Sequence, residues 1–87
     1  MEFDNRSIGI VIRRLRIEKE VTQEVLSGLA NISRTHLTAI ENGQKHPNFE
    51  TIWKISNALN IEPHVLVHMI EEETSRYTGK KQKNRRK

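Results

Sequence analysis

Between Thr22 and Gly43 the chain reads TQEVLSGLANISRTHLTAIENG, a stretch that spells two short helices joined by a tight turn. Thr22 is suited to cap the first helix, because a threonine hydroxyl can accept from the free backbone N–H groups of a helix start. Leu26, Leu29 and Ala30 then recur at helical spacing. Asn31 interrupts the pattern, and asparagine accepts the left-handed backbone conformation more readily than other residues with a side chain. Ser33 supplies a second cap, Leu37 and Ile40 point back towards the first helix, and Asn42-Gly43 is a helix stop. Two helices this short bury little by themselves. What such a unit fixes is the angle between them, which presents the second helix to a partner.

These residues resemble the helix-turn-helix of the Cro/C1 repressor family, also called the XRE family. The resemblance rests on Thr22-Gln23-Glu24, Leu26, Ser27, Ala30, Ile32-Ser33-Arg34, Leu37, Ile40 and Glu41-Asn42-Gly43. It continues outside the motif: Ile8 to Arg16 looks like the family's first helix, and Pro47 to Leu66 like its fourth and fifth. Two positions depart from the pattern. Asn31 stands where the family usually has glycine, and Gly28 lies inside a helix, where glycine costs about 1 kcal/mol relative to alanine. The resemblance implies an all-α, five-helix, lambda-repressor-like DNA-binding domain, placed at residues 1–76; the composition of residues 77–87 marks a disordered basic C-terminal tail after it.

At 87 residues the chain is the size of one domain. Such a chain buries only about 60% of its unfolded surface and gains stability by pairing. It has no cysteine, so disulfides and thiolate zinc sites are excluded. No apolar run approaches the roughly 20 residues that span a membrane, and no signal peptide opens the chain, so a cytoplasmic protein is expected. The net charge of +4 belongs to one end. Residues 1–70 hold eight Lys/Arg and eight Asp/Glu, whereas residues 71–87 hold seven basic and three acidic residues. The basic pI therefore describes the tail, and a balanced body binds nucleic acid only if its cations share a face.

In chain order, Asp4 or Asn5 is available to cap a first helix from about Arg6 to Lys19, with Ile8, Val11, Ile12 and Leu15 as its buried stripe. Asn48 is placed to cap a fourth helix, Phe49 to Leu59, with Ile52, Ile55 and Leu59 inward. Trp53 is expected in core or interface packing rather than as a stacking platform. Asn60 sits at a helix stop, and Pro63 opens a fifth helix near 63–74. Val65, Leu66, Val67, Met69 and Ile70 are too many for one inward stripe. The sequence therefore predicts a homodimer interface on this helix, carried by Val65, Leu66, Met69 and Ile70. From Tyr77 onward there is no apolar periodicity, and a run so rich in Lys and Arg is expected to be disordered. It is read as a flexible arm that adds phosphate attraction, with binding of RNA or another acidic partner, or an incidental solvated segment, as the alternatives.

If the second helix of the motif enters a major groove, its exposed face carries Arg34, Thr35, Thr38 and Ala39, with His36 partly so. Arg34 suits the O6 and N7 of a guanine, the commonest specific contact. Its plainer role is a phosphate or a local pair. Thr35 and Thr38 offer a hydroxyl to a base or a methyl to thymine, while Ala39 offers apolar contact only. The resemblance implies base contacts at Arg34, Thr35 and Ala39 and phosphate contacts at Gln23 and Asn42. Ser33, His36, Gln44 and Lys45 complete the expected phosphate-contacting set around the motif. The resemblance further implies that Arg16 and Glu41 form an ion pair tying the first helix to the third, a task that suits the planar guanidinium fork.

Three features admit other uses. His64, His68 and Glu72 have the spacing of a helical metal site, but no further fixed ligand is identifiable and surface histidines are the favoured reading. Val25 and Leu29 form an apolar i, i+4 pair that could dock a protein partner. No Gly-rich phosphate loop, cysteine nucleophile or convergent carboxylate pair supports an enzyme, and no cofactor is expected. The function expected is a sequence-specific double-stranded-DNA-binding transcriptional regulator, a repressor more readily than an activator, acting as a homodimer on a two-fold symmetric operator. An antitoxin-like protein-interaction module with secondary DNA binding is the alternative.

Overall fold

The computed structural model describes the backbone of residues 2–85 and the side chains of residues 2–76. Five helices follow one another: α1 Asn5–Glu18, α2 Gln23–Ala30, α3 Arg34–Glu41, α4 Phe49–Ala58 and α5 Pro63–Arg85. Among the described residues there is no strand.

Local chemistry sets the boundaries. Asp4, Thr22, Ser33 and Asn48 cap α1 to α4, each accepting a backbone N–H of the first turn through its side chain. All four of these helices also end alike. A residue with positive φ follows each one, at Glu20 (58°), Asn31 (58°), Gly43 (79°) and Asn60 (61°). The next amide then reaches five residues back: Val21 to Arg16, Ile32 to Ser27, Gln44 to Ala39 and Ile61 to Ser56. This double closure satisfies carbonyls that a helix end otherwise leaves bare. At three of the four ends the residue that closes it, Val21, Ile32 or Ile61, also packs against the core.

The core draws on every helix. Val11 and Ile12 of α1, Leu26 and Ala30 of α2, Leu37 and Ile40 of α3, Ile52 and Ile55 of α4, Leu59 after it, and Leu66 and Ile70 of α5 form one buried cluster. Each large aliphatic side chain so buried contributes about 1.5–3 kcal/mol. Helix α2 packs on α3 and α4, while α1 packs on α3 and α5. The α1–α3 crossing is close because Gly9 has no side chain: a Cβ there would lie 2.5 Å from the carbonyl oxygen of Glu41 and nearer still to that of Ile40.

Helix α5 departs from the sequence expectation in two ways. It runs past residue 74, because Glu73 and Thr74 are themselves buried and Glu73 accepts from Arg14 Nη1 of α1 at 3.2 Å. The disorder expected of residues 77–87 falls outside the residues described in full. Its inward stripe is Leu66, Ile70, Glu73 and Thr74, the i, i+4, i+7, i+8 face of one helix. Leu66 is fully buried and Ile70 nearly so within the protein's own core, so neither is available to the dimer interface predicted for them. Met69 is half-buried against the same core, and Val65 and Val67 stay exposed. Trp53 is outside the core as well. It is 50% exposed and meets Phe49 edge-on, with ring centroids 5.9 Å apart.

Candidate nucleic-acid interface

Helix α3 is held at both ends and along one side, which leaves the other side clear. Ser33 Oγ accepts the amide of His36 at 3.0 Å, and Asn31, in the left-handed conformation, turns the chain sharply before it. Leu37 and Ile40 are buried against α1 and α2. The opposite face shows Arg34 and Thr35 exposed, with His36, Thr38 and Ala39 half-buried. The chain's own helices thus cover none of the N-terminal turn of α3 that faces outward.

A polar network locks this helix to its neighbours. Arg16 of α1 donates from Nε to Glu41 Oε2 at 2.8 Å and from Nη2 to Glu41 Oε1 at 3.1 Å. Its third arm, Nη1, donates to the Val21 carbonyl at 2.9 Å, across the α1–α2 turn. The Glu41 side chain is fully buried, so this paired geometry satisfies a charge that would be costly alone. Glu41 Oε1 also accepts from Gln23 Nε2 at 2.9 Å, and Gln23 Oε1 accepts from Thr38 Oγ1 at 3.0 Å. One continuous chain of bonds therefore links α1, α2 and α3.

The predicted site residues other than the half-buried His36 and Ala39 divide into two groups. Arg34, Thr35, Ser33, Asn42, Gln44 and Lys45 are exposed around the two ends of α3. Gln23 and Thr38, expected to face nucleic acid freely, instead spend part of their bonding capacity on each other. The backbone amides of Gln44 and Lys45 both point at the Ala39 carbonyl, at 2.9 and 3.3 Å, so any anion contact from this loop must come from their side chains. Arg13, which sequence spacing leaves on a solvated face, lines one cleft with Ile10, Arg16, Gln23 and Asn42. Only the packing of α1 beside α3 reveals that placement.

His68 Nε2 lies 3.2 Å from Glu72 and His64 Nε2 lies 3.7 Å from Glu62. Among the described residues no group of three or more His, Cys, Asp or Glu side chains is placed to hold a metal ion. Nor is any helix among them long and apolar enough to cross a membrane.

Comparison with known proteins agrees with this geometry. Residues 12–66 match a helix-turn-helix family model. The chain is 32% identical over 81 residues to the immunity repressor of Bacillus phage phi105, covering 90% of this chain and 56% of that protein. It thus spans little more than half the length of that relative. Among solved structures, the restriction-modification controller protein C.AhdI from Aeromonas hydrophila superposes with a TM-score of 0.70 at 35% identity, over 72% of this chain and 96% of that one. The controller protein C.Esp1396I, solved as a tetramer in complex with its natural 35 base-pair operator, gives a TM-score of 0.76 at 27% identity, over 85% of this chain and 97% of that one.

Proposed function

The chain belongs to the XRE (Cro/C1-type) helix-turn-helix family of DNA-binding regulators, and on that premise we propose that it is a sequence-specific repressor that binds a two-fold symmetric operator as a homodimer in the cytoplasm. The observation that carries this reading is the uncovered outer face of α3, with Arg34 and Thr35 projecting from a helix whose other face is buried. Such a helix fits the major groove, with its N-terminal residues at the base edges. Arg34, Thr35, Thr38 and Ala39 are the proposed base-contacting set. Gln23, Ser33, His36, Asn42, Gln44 and Lys45, joined by Arg13, anchor the phosphates. A phage immunity repressor among the relatives favours repression, by occlusion of a promoter.

Self-association uses the outer side of α5, beside α4, and not the buried side. Phe49 and Trp53 of α4 line a shallow groove with Pro63 and Val67 of α5, and all but Pro63 are substantially exposed. Aromatic side chains concentrated on an open surface are what a subunit interface uses. The related controller protein that assembles as a tetramer on its operator supports pairing here.

Selection of bound sequences from random duplex DNA tests this reading. A consensus with two-fold symmetry and half-sites about 34 Å apart, one duplex turn, is expected. A single asymmetric site, or no enrichment, overturns it.

One observation favours a second surface. Val25 and Leu29 are 50% and 65% exposed on α2, four residues apart. As the docking surface of a protein partner, they would serve an antitoxin-like role beside DNA binding. If replacing both with lysine leaves folding and co-purifying proteins unchanged, that role is absent.

A further inference from the structure

The hydrogen-bond chain beneath α3 has a fixed direction, and that direction reaches the proposed DNA-facing surface. Arg16 can only donate. Glu41, held by its two arms, offers only acceptors to what remains. The amide of Gln23 must therefore turn its Nε2 towards Glu41, at 2.9 Å, and this leaves its Oε1 facing Thr38. An amide oxygen has no proton to give, so the Thr38 hydroxyl supplies the one it has, at 3.0 Å. Each step removes the alternative orientation of the next group, so the amide assignment follows from the network and not from a free choice.

We propose that Gln23, itself oriented by Glu41 and Arg16, makes Thr38 a one-way reader that accepts from a base but cannot donate to it. The inference rests on the reading of α3 as the groove-entering helix. Thr38 lies one turn beyond Arg34 on the same helical face. With its proton committed, it presents only oxygen lone pairs and a γ-methyl. At the centre of the major groove adenine and cytosine carry an amino donor, whereas guanine and thymine carry a keto oxygen. Thr38 thus selects an amino base, A or C, over a keto base, G or T, at one position of each half-site. A threonine with a free hydroxyl could rotate to serve either class. Gln23 acts here as a positioning residue, in addition to any phosphate contact of its remaining N–H.

The test repeats the random-duplex selection with Thr38→Val, Thr38→Ser and Gln23→Met. For the wild type, one position per half-site is expected to favour A or C over G or T by about tenfold. Thr38→Val, which keeps the shape and loses the oxygen, flattens that position. Thr38→Ser, which keeps the hydroxyl and loses the methyl, retains the preference. Gln23→Met, which fills the same space but cannot bind the Thr38 proton, admits G and T there and leaves the preferences at other positions intact. Thermal unfolding of each variant identifies any that do not fold, and the remaining variants decide the outcome. A position altered by Thr38→Val at which the wild type prefers G or T overturns the proposal. So does an unchanged selection profile for folded Thr38→Val or Gln23→Met. Failure of the wild type to select any sequence overturns the parent reading instead.

Discussion

Arg16 and Glu41 meet side-on across the α1–α3 contact, two guanidinium nitrogens against two carboxylate oxygens at 2.8 and 3.1 Å. The Glu41 carboxylate is fully buried, and the Arg16 side chain is 13% exposed. Removing one partner strands the other charge in the interior. Arg16→Ala is therefore expected to destabilise the fold by about 3–5 kcal/mol. Replacing both residues with apolar side chains of similar size should cost clearly less. Urea unfolding of the single and double variants checks the ordering.

Two glycines should respond to alanine with opposite signs. At Gly9 the new methyl group would meet backbone, 2.8 Å from the Glu41 carbonyl carbon, so α1 and α3 must move apart. The expected loss is about 1–3 kcal/mol. Gly28 has open space around it in the middle of α2 and no unusual φ. Gly28→Ala should stabilise by about 1 kcal/mol. Thermal melts of the two variants resolve the contrast.

The cap of α1 carries a pH signature. The Arg6 side chain, and after it the Arg6 backbone amide, hold the Asp4 carboxyl below its usual value of 3.8. A carboxyl with a lowered folded-state pKa contributes stability that is present above the unfolded value and lost as pH falls through the folded one. Asparagine caps about as well but carries no charge. The wild-type advantage over Asp4→Asn should hold constant above about pH 5 and vanish on acidification below 3.8, as followed by stability measured against pH.

Much of this architecture is legible in the residues themselves, and the reason is locality. Asp4, Thr22, Ser33 and Asn48 act on amides two or three positions away, and Asn31, Gly43 and Asn60 act on their own backbone. Such signals need no knowledge of the rest of the fold. Glu20 takes the same left-handed conformation with no side-chain chemistry to announce it, so only the structure reveals it. Helix α5 shows the limit of periodicity. Five apolar residues crowd its first two turns, and the positions of α1 and α4 decide that Leu66 and Ile70 go inward while Val65 and Val67 do not. Gln23 marks the same limit in the site. An amide at a helix start can face solvent or turn inward, and the buried carboxylate of Glu41, eighteen positions away, draws it in.

Lys45 should contribute charge without sequence preference. It is exposed in the loop after α3, with its amide already bonded to Ala39. Lys45→Ala is expected to weaken all duplexes alike and to lower the slope of log affinity against log salt by about one unit. Titrations at several salt concentrations, on specific and scrambled duplexes, measure both effects.

Arg34 should behave in the opposite way, and its removal tests directly whether the open face of α3 reads base sequence. The measurement is the ratio of Kd for a scrambled duplex to Kd for a selected duplex at one salt concentration, for the wild type and for Arg34→Ala. The expected result is a ratio that falls by about tenfold or more in the variant, with the scrambled duplex bound nearly as before. Discrimination by Arg34→Ala as sharp as that of the wild type would contradict the assignment of this surface to sequence recognition.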